Sequence, residues 1–253
     1  MELIAIIRSE GGNFQKYLTL LNENNFNPIL VPAIEFQYKS QQELKNELNC
    51  PESYSGIIFT SPRSVTAIHL VLNGDVIRNE WKTKRNYCVG VSTWNEAHSK
   101  LDFDPVGKES GSATNLAELI VNDFKSNPSS LPLLFPCSSI KKDTLPEKLS
   151  SNGIQLKCLD VYDTIPHSKL EENLQHIVMN DEIKSLVFFS PSGVESCIEV
   201  LNKSNLNFNS KRLIAIGETT KKAIIEKGLE CHFTCKTPSP EGLLECLLES
   251  RNS

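Results

Sequence analysis

Nine hydroxyl-bearing residues stand just after short apolar runs: Ser61, Thr93, Ser112, Ser138, Ser190, Ser192, Thr219, Thr220 and Ser239. Each falls at or near the predicted start of a helix. Ser and Thr are favoured there because the hydroxyl accepts from a backbone N–H that has no partner inside the helix. The same free N–H groups, at the positive end of the helix dipole, also bind anions. Capping and anion binding are therefore both open for each residue. In open α/β sheets such turns gather at the carboxyl ends of strands, where ligands bind. Many of them together suit a ligand whose carboxylates are spread over a wide area. Tyr162, in LDVYDTIPH, is the one candidate for proton chemistry. It stands at the end of a predicted strand, and a phenol can donate or accept a hydrogen bond at a leaving oxygen. Packing of a half-buried ring is the equally open alternative.

Other chemistries are excluded by what is missing. There is no Gly-x-Gly-x-x-Gly after the first strand, no Gly-Lys-Ser/Thr phosphate loop, no His-Glu-x-x-His and no Gly-x-Ser-x-Gly elbow. Gly11-Gly12 reads as a turn. The five histidines (His69, His98, His167, His176 and His232) are scattered, and His69 falls inside a helix with a structural or surface role. Eight cysteines carry no Cys-x-x-Cys pair. No basic start with an apolar core and cleavage site opens the sequence, so the thiols are expected to be reduced, mostly buried and cytoplasmic. Cys231, His232 and Cys235 lie close together, but a structural zinc needs four ligands, and a plain strand and loop is the expectation.

The elements that must hold these residues alternate. Leu3–Ile7 is a continuous apolar run, as expected for a strand covered on both faces. A helix over 13–25 follows, with Phe14, Tyr17, Leu18 and Leu21 on one face, then an extended run from Pro28 to Tyr38. GIIFTSP (56–62), YCVGVST (87–93), LPLLFPC (131–137), SLVFFSP (185–191) and RLIAIGETT (212–220) repeat the strand-to-helix theme. The pattern predicts parallel α/β sheets with helices on both faces. The units also repeat. GIIFTSPRSVTAIHLVL resembles SLVFFSPSGVESCIEVL, with Ser61 on Ser190. CVGVST resembles IAIGET, with Gly90 on Gly217, and SATNLAELI resembles SPEGLLECL, with Ser112 on Ser239. The opening 2–36 resembles 132–164. Two copies of one fold of about 125 residues fit the 253-residue length.

Composition is that of an ordinary globular protein, 39% hydrophobic and 23% charged. A net charge of −5 argues against a general nucleic-acid or membrane-surface binder, so an anionic ligand must be held by local donors. No apolar stretch approaches the ~18 residues a membrane helix needs.

Taken in order, IIFTSPRSV, LLFPCSSIKKDTLPEKLSSNGI, VYDTIPH, FFSPSGV and AIGETTKKAIIEKGL resemble the uroporphyrinogen-III synthase family, and look nearer to its animal form than to its bacterial one. The resemblance runs from about residue 2 to about 248. It implies two similar small α/β domains with parallel sheets flanked by helices, joined by a two-strand linker. Residues 1–35 plus 168–253 would form the first domain and 38–164 the second, with 28–38 and 154–167 as connecting strands and a ligand cleft between. It implies a lyase that takes water from hydroxymethylbilane, inverts ring D through a spiro intermediate and closes uroporphyrinogen III in haem biosynthesis. No cofactor or metal is implied, and the partner is a polycarboxylate small molecule acted on by a monomer, with no nucleic acid and no membrane. Carried over by motif, substrate would be bound by Ser61, Arg63, Thr93, Ser138, Ser190, Ser192, Thr219 and Thr220. Tyr162 would assist departure of the hydroxyl. Arg8, ending the first strand, can pair with a carboxylate or lie at the surface. Glu218 departs from the pattern: it suits the helix dipole but would repel an acidic ligand. Two other readings stay open at this point. One is a non-catalytic two-domain module closing on a polyanion. The other is a signalling pair, which would want an acidic cluster after the first strand, where only Glu10 stands.

Overall fold

A computed structural model describes residues 1–9, 14–140 and 143–251. Gly11-Gly12 and Glu10 lie outside the described residues. Along the chain the elements are β1 (Glu2–Arg8), α1 (Gln15–Glu23), β2 (Phe26–Pro32), β3 (Ile34–Tyr38), α2 (Gln41–Leu48), β4 (Gly56–Phe59), α3 (Pro62–Leu72) and α4 (Asn79–Lys82). There follow β5 (Tyr87–Cys88), α5 (Gly90–Leu101), α6 (Ala113–Ser126), β6 (Leu133–Ser138), α7 (Thr144–Ser150), β7 (Leu156–Pro166) and α8 (Leu170–Met179). The last are β8 (Ser185–Phe188), α9 (Pro191–Ser204), β9 (Arg212–Ala215), α10 (Glu218–Glu226), β10 (Phe233–Thr234) and α11 (Pro240–Arg251).

The chain divides into two compact units, Met1–Glu35 with Ile165–Ser253, and Phe36–Thr164. The first holds a sheet in the order β10-β9-β8-β1-β2, and the second a sheet in the order β3-β7-β6-β4-β5. β1 pairs in parallel with β2 and β8, β8 with β9 and β9 with β10. In the second sheet β6 pairs in parallel with β7 and β4, and β4 with β5. The central strands are apolar at every position because helices cover both faces: Ile4 to Ile7, Ile57 to Phe59 and Leu186 to Phe188 are all fully buried.

The repeat holds in register. Phe59 lies beside Cys88 in one sheet, and Phe188 beside Ala215 in the other. Tyr87 forms a parallel bridge to Val106, and Ile214 pairs with Phe233. Even an amine-to-carbonyl contact recurs. Lys84 Nζ donates to the Tyr54 carbonyl at 2.6 Å, and Lys211 Nζ donates to the Ile183 carbonyl at 2.9 Å and the Asn180 carbonyl at 2.8 Å. Each amine closes the loop that leads into a central strand. The wiring differs by a circular shift. In the second unit α6 leads on to β6 and β7, whereas in the first the counterpart helix α11 ends the described chain and the counterpart strands β1 and β2 begin it.

Some elements depart from the sequence expectations. The helix expected over 13–25 is the shorter α1. The extended run 28–38 breaks at Ala33, which uses its N–H on Arg8 and its carbonyl on His167, so β2 and β3 join different sheets. YCVGVST is a strand only at Tyr87–Cys88, because Gly90, at φ +76, turns the chain and α5 begins there. Among the cysteines, Cys50 and Cys158 are exposed and Cys231 is half-buried, while the other five are buried.

Lys211 is almost wholly buried and satisfies two carbonyls, so Lys211→Met should lower stability by about 1–3 kcal/mol. The exposed Lys184→Met should stay within ~0.5 kcal/mol. Urea unfolding midpoints of the two variants check this.

Candidate functional site

In each unit the hydroxyls gather where parallel strands end and helices begin. Ser61 follows β4 and caps α3, its Oγ accepting from the Arg63 N–H at 3.1 Å. Ser190 does the same after β8, accepting from the Gly193 N–H at 3.2 Å, with Ser192 Oγ 3.1 Å away. Both helices carry proline at their first position, which has no N–H to leave unpaired. Ser112 and Ser239 likewise cap α6 and α11. These four hydroxyls are already committed to capping; the remaining lone pairs and the neighbouring N–H groups are what a ligand can use.

Helices α5 and α10 are different. Neither has a side-chain cap. Their first turns, at Gly90–Thr93 and Gly217–Thr220, therefore offer backbone donors with no side-chain acceptor. Thr93 and Thr220 occupy the same place in the two copies and are both buried, at 2% and 1% exposure, so their side chains pack beneath the turn. Thr219 is exposed, and so is its counterpart Ser92, which no motif singled out. The repeat itself was the signal for Ser92, since it stands two residues after Gly90 as Thr219 stands two after Gly217. Glu218 is exposed and turns to Lys221, 3.5 Å away on its own helix, which offsets its charge.

Ser138 ends β6 and is half-buried, with its Oγ accepting from the Ile140 N–H at 3.3 Å. It caps no helix, because α7 begins only at Thr144. Tyr162 is not at a strand end: β7 runs on to Pro166. It pairs with Ser138 across a register shift between Cys137 and Ser138, which puts the ring level with the end of β6. The ring is 8% exposed, edge-on to Phe36 at 6.1 Å and tilted toward Tyr38 at 6.5 Å, and the Ser61 hydroxyl lies near enough to the phenol to act on its titration. Arg63 stacks its guanidinium 4.3 Å from the centre of the Phe36 ring. Ser61, Arg63, Ser138 and Tyr162 thus share one edge of the second unit, with Phe36 and Tyr38 as neighbours that no motif pointed to. In the first unit Arg8 lies 4.4 Å over Phe14, which stacks on Tyr17 and meets Phe189 edge-on.

Burial pushes the Tyr162 phenol above its usual range, against the opposing pull of the Ser61 hydroxyl and of the Arg63 charge. The group is a proton holder at neutral pH, suited to donating a hydrogen bond and unsuited to acting as a phenolate base.

A family model described as uroporphyrinogen-III synthase HemD matches residues 15–245. The chain belongs to the uroporphyrinogen-III synthase family. The uroporphyrinogen-III synthase of Saccharomyces cerevisiae is 28% identical over 263 residues, covering 96% of this chain and 94% of the relative. The uroporphyrinogen-III synthetase of Helicobacter pylori superposes with a TM-score of 0.66 at 17% identity, over 99% of this chain and all of that one. A mutant synthase from Thermus thermophilus gives 0.61 at 15% identity, over all of this chain and 99% of that one. These structures share the two-unit α/β fold. The family is one of lyases, and a non-catalytic polyanion module is not favoured. No described helix is long and apolar enough to cross a membrane.

Tyr162 and Tyr87, whose phenol burial pushes up to about 12, should both keep their protons above pH 10. A phenol with its pKa raised on folding stabilises the native state below pH ~10, and this stabilisation fades as pH rises further. The urea midpoint should therefore fall between pH 9 and 11, and Tyr162→Phe should reduce that fall; absorbance at 295 nm should place Tyr162 phenolate formation at higher pH than that of an exposed tyrosine.

Proposed function

We propose that this chain cyclises hydroxymethylbilane to uroporphyrinogen III. The terminal hydroxyl leaves as water, the resulting azafulvene cation is attacked to form a spiro intermediate, ring D is inverted, and the macrocycle closes as the type III isomer. The family match over residues 15–245 carries this reading. The chemistry of the donor edges supports it. A linear tetrapyrrole studded with carboxylates needs many weak anchors. The first turns of α5 and α10, with Thr219, Ser138, Ser190 and Ser192 beside them, are of the right kind, and Arg8 and Arg63 supply charge. In this reading Ser61 both caps α3 and orients the Tyr162 phenol.

The substrate closes unaided to the wrong isomer, so its intrinsic reactivity is not the obstacle. Holding the flexible chain in a spiro-forming geometry is, and orientation of this kind supplies up to about 7–11 kcal/mol. Proton demand is small: one hydroxyl must leave, and a protonated phenol beside it is enough. Tyr162 therefore passes its proton to the departing oxygen, and the proton released from the attacked pyrrole carbon as the macrocycle closes restores the phenol. Thr93 and Thr220, buried as they are, act by setting the shape of the binding turns rather than by touching the ligand. The reading extends to a monomeric, cytoplasmic enzyme with no cofactor or metal.

An isomer-resolved assay with fresh hydroxymethylbilane tests the proposal: type III product is expected, and only type I at the uncatalysed rate would refute it. Tyr162→Phe should lower turnover about 10–100-fold, the range of one positioned proton donor, while shifting stability by no more than about 1.5 kcal/mol. Turnover equal to the unsubstituted protein would remove Tyr162 from the mechanism.

A further inference from the structure

We infer that Lys108 binds a carboxylate of the substrate, completing the donor edge of the second unit; this rests on the reaction proposed above. Lys108 lies two residues beyond Val106, which runs parallel to Tyr87 at the margin of the sheet. It therefore emerges at the carboxyl edge, with Ser61, Ser138 and the start of α5. The intervening Gly107 accepts a hydrogen bond from the N–H of Gly90, the residue that opens α5, at 3.4 Å. Gly107 can do so because it adopts φ +108 and packs against the Cys88 carbonyl, where a Cβ would sit 2.5 Å away. The lysine is thus tied by its neighbour to a turn already rich in backbone donors.

The side chain is placed with equal care. Its ammonium stands 3.9 Å from the centre of the Trp94 ring. Trp94 also stacks on His98, with centroids 4.8 Å apart and planes 8° from parallel, and His98 is bonded to Asp104 at 3.0 Å. A ring holds a cation in position but does not cancel its charge. Other lysines of this unit are neutralised: Lys100 by Glu96 at 2.7 Å and Lys82 by Asp102 at 2.7 Å. Lys108 is half-buried and pairs with no carboxylate among the described residues. A half-buried, oriented and uncompensated ammonium at a ligand-binding edge is fitted to an incoming carboxylate.

The repeat adds a reason for it. Shifted by the same interval that relates Gly90 to Gly217, position 108 becomes Cys235 and position 94 becomes Lys221, so no lysine over an indole stands at the matching place of the first unit. A linear tetrapyrrole has two different ends. Two copies with identical edges could not tell those ends apart, and a ring-held lysine with no carboxylate partner at one of the two matching places gives them unequal affinity.

The test compares steady-state kinetics of the unsubstituted protein, Lys108→Met, Lys108→Arg and the exposed control Lys125→Met. Lys108→Met keeps the alkyl stem over the indole, and it should raise KM for hydroxymethylbilane about tenfold with kcat within about threefold, the size of one charge-assisted bond. Lys108→Arg should bring KM back to within about threefold of the starting value, and Lys125→Met should leave it there. The KM of Lys108→Met should also respond less to added salt. An unchanged KM in Lys108→Met, with or without a lower melting temperature, overturns the assignment, as does failure of Lys108→Arg to restore it. An unsubstituted protein that yields only type I product refutes the underlying reaction and this inference with it, which is a separate result.

Discussion

A parallel strand carries the chain to one edge of its sheet, and the helix that returns it must begin there with backbone N–H groups that no strand or helix bond uses. That constraint organises this protein. At α3, α6, α9 and α11 the groups are met by Ser61, Ser112, Ser190 and Ser239. At α5 and α10 no side chain meets them. Within one fold, then, the same kind of helix start is closed at some positions and left receptive at others. Receptive starts cost little at a solvent-facing edge, where water replaces a missing cap, and they bind anions without any net positive charge on the protein. This reconciles a net charge of −5 with the acidic substrate proposed above.

The second organising fact is that the scaffold is built twice but the chemistry is not. Registers, caps and the amine-to-carbonyl contacts of Lys84 and Lys211 recur. Tyr162 does not: its counterpart strand β2, FNPILVP, has no tyrosine. Nor does the Lys108–Trp94–His98 stack. Packing demands repeat because both units face the same problem of covering a parallel sheet. A reaction that distinguishes the ends of its substrate gains nothing from repeated chemistry, and Tyr162 and Lys108 both stand on the second unit.

Cations are handled in a consistent way at these edges. Arg8 lies over Phe14, Arg63 over Phe36 and Lys108 over Trp94. The ring beneath Lys108 fixes the direction of its side chain while leaving its charge available, whereas carboxylate partners, as for Lys82 and Lys100, neutralise it. Tyr162 shows the complementary device. Burial keeps the phenol protonated, against the opposing pull of the nearby Ser61 hydroxyl and the Arg63 charge.

The sequence by itself determined the alternation of strands and helices, the internal repeat and the run of Ser/Thr residues after each strand, because apolar periodicity and capping chemistry are local. Five ordered segments were enough to indicate the family. Other features depended on contacts remote in sequence. Nothing near Ala33 announces that the extended run stops there, since the break answers to Arg8 and His167. Thr93 and Thr220 read like Thr219, yet helix rotation buries them and exposes Thr219 and Ser92. Tyr162 was legible as a phenol after an apolar run, but its depth within β7, its nearness to Ser61 and its ring neighbours Phe36 and Tyr38 follow from strand order. Lys108 was silent in sequence, because a lysine acquires meaning only when folding sets a ring beneath it and no carboxylate beside it.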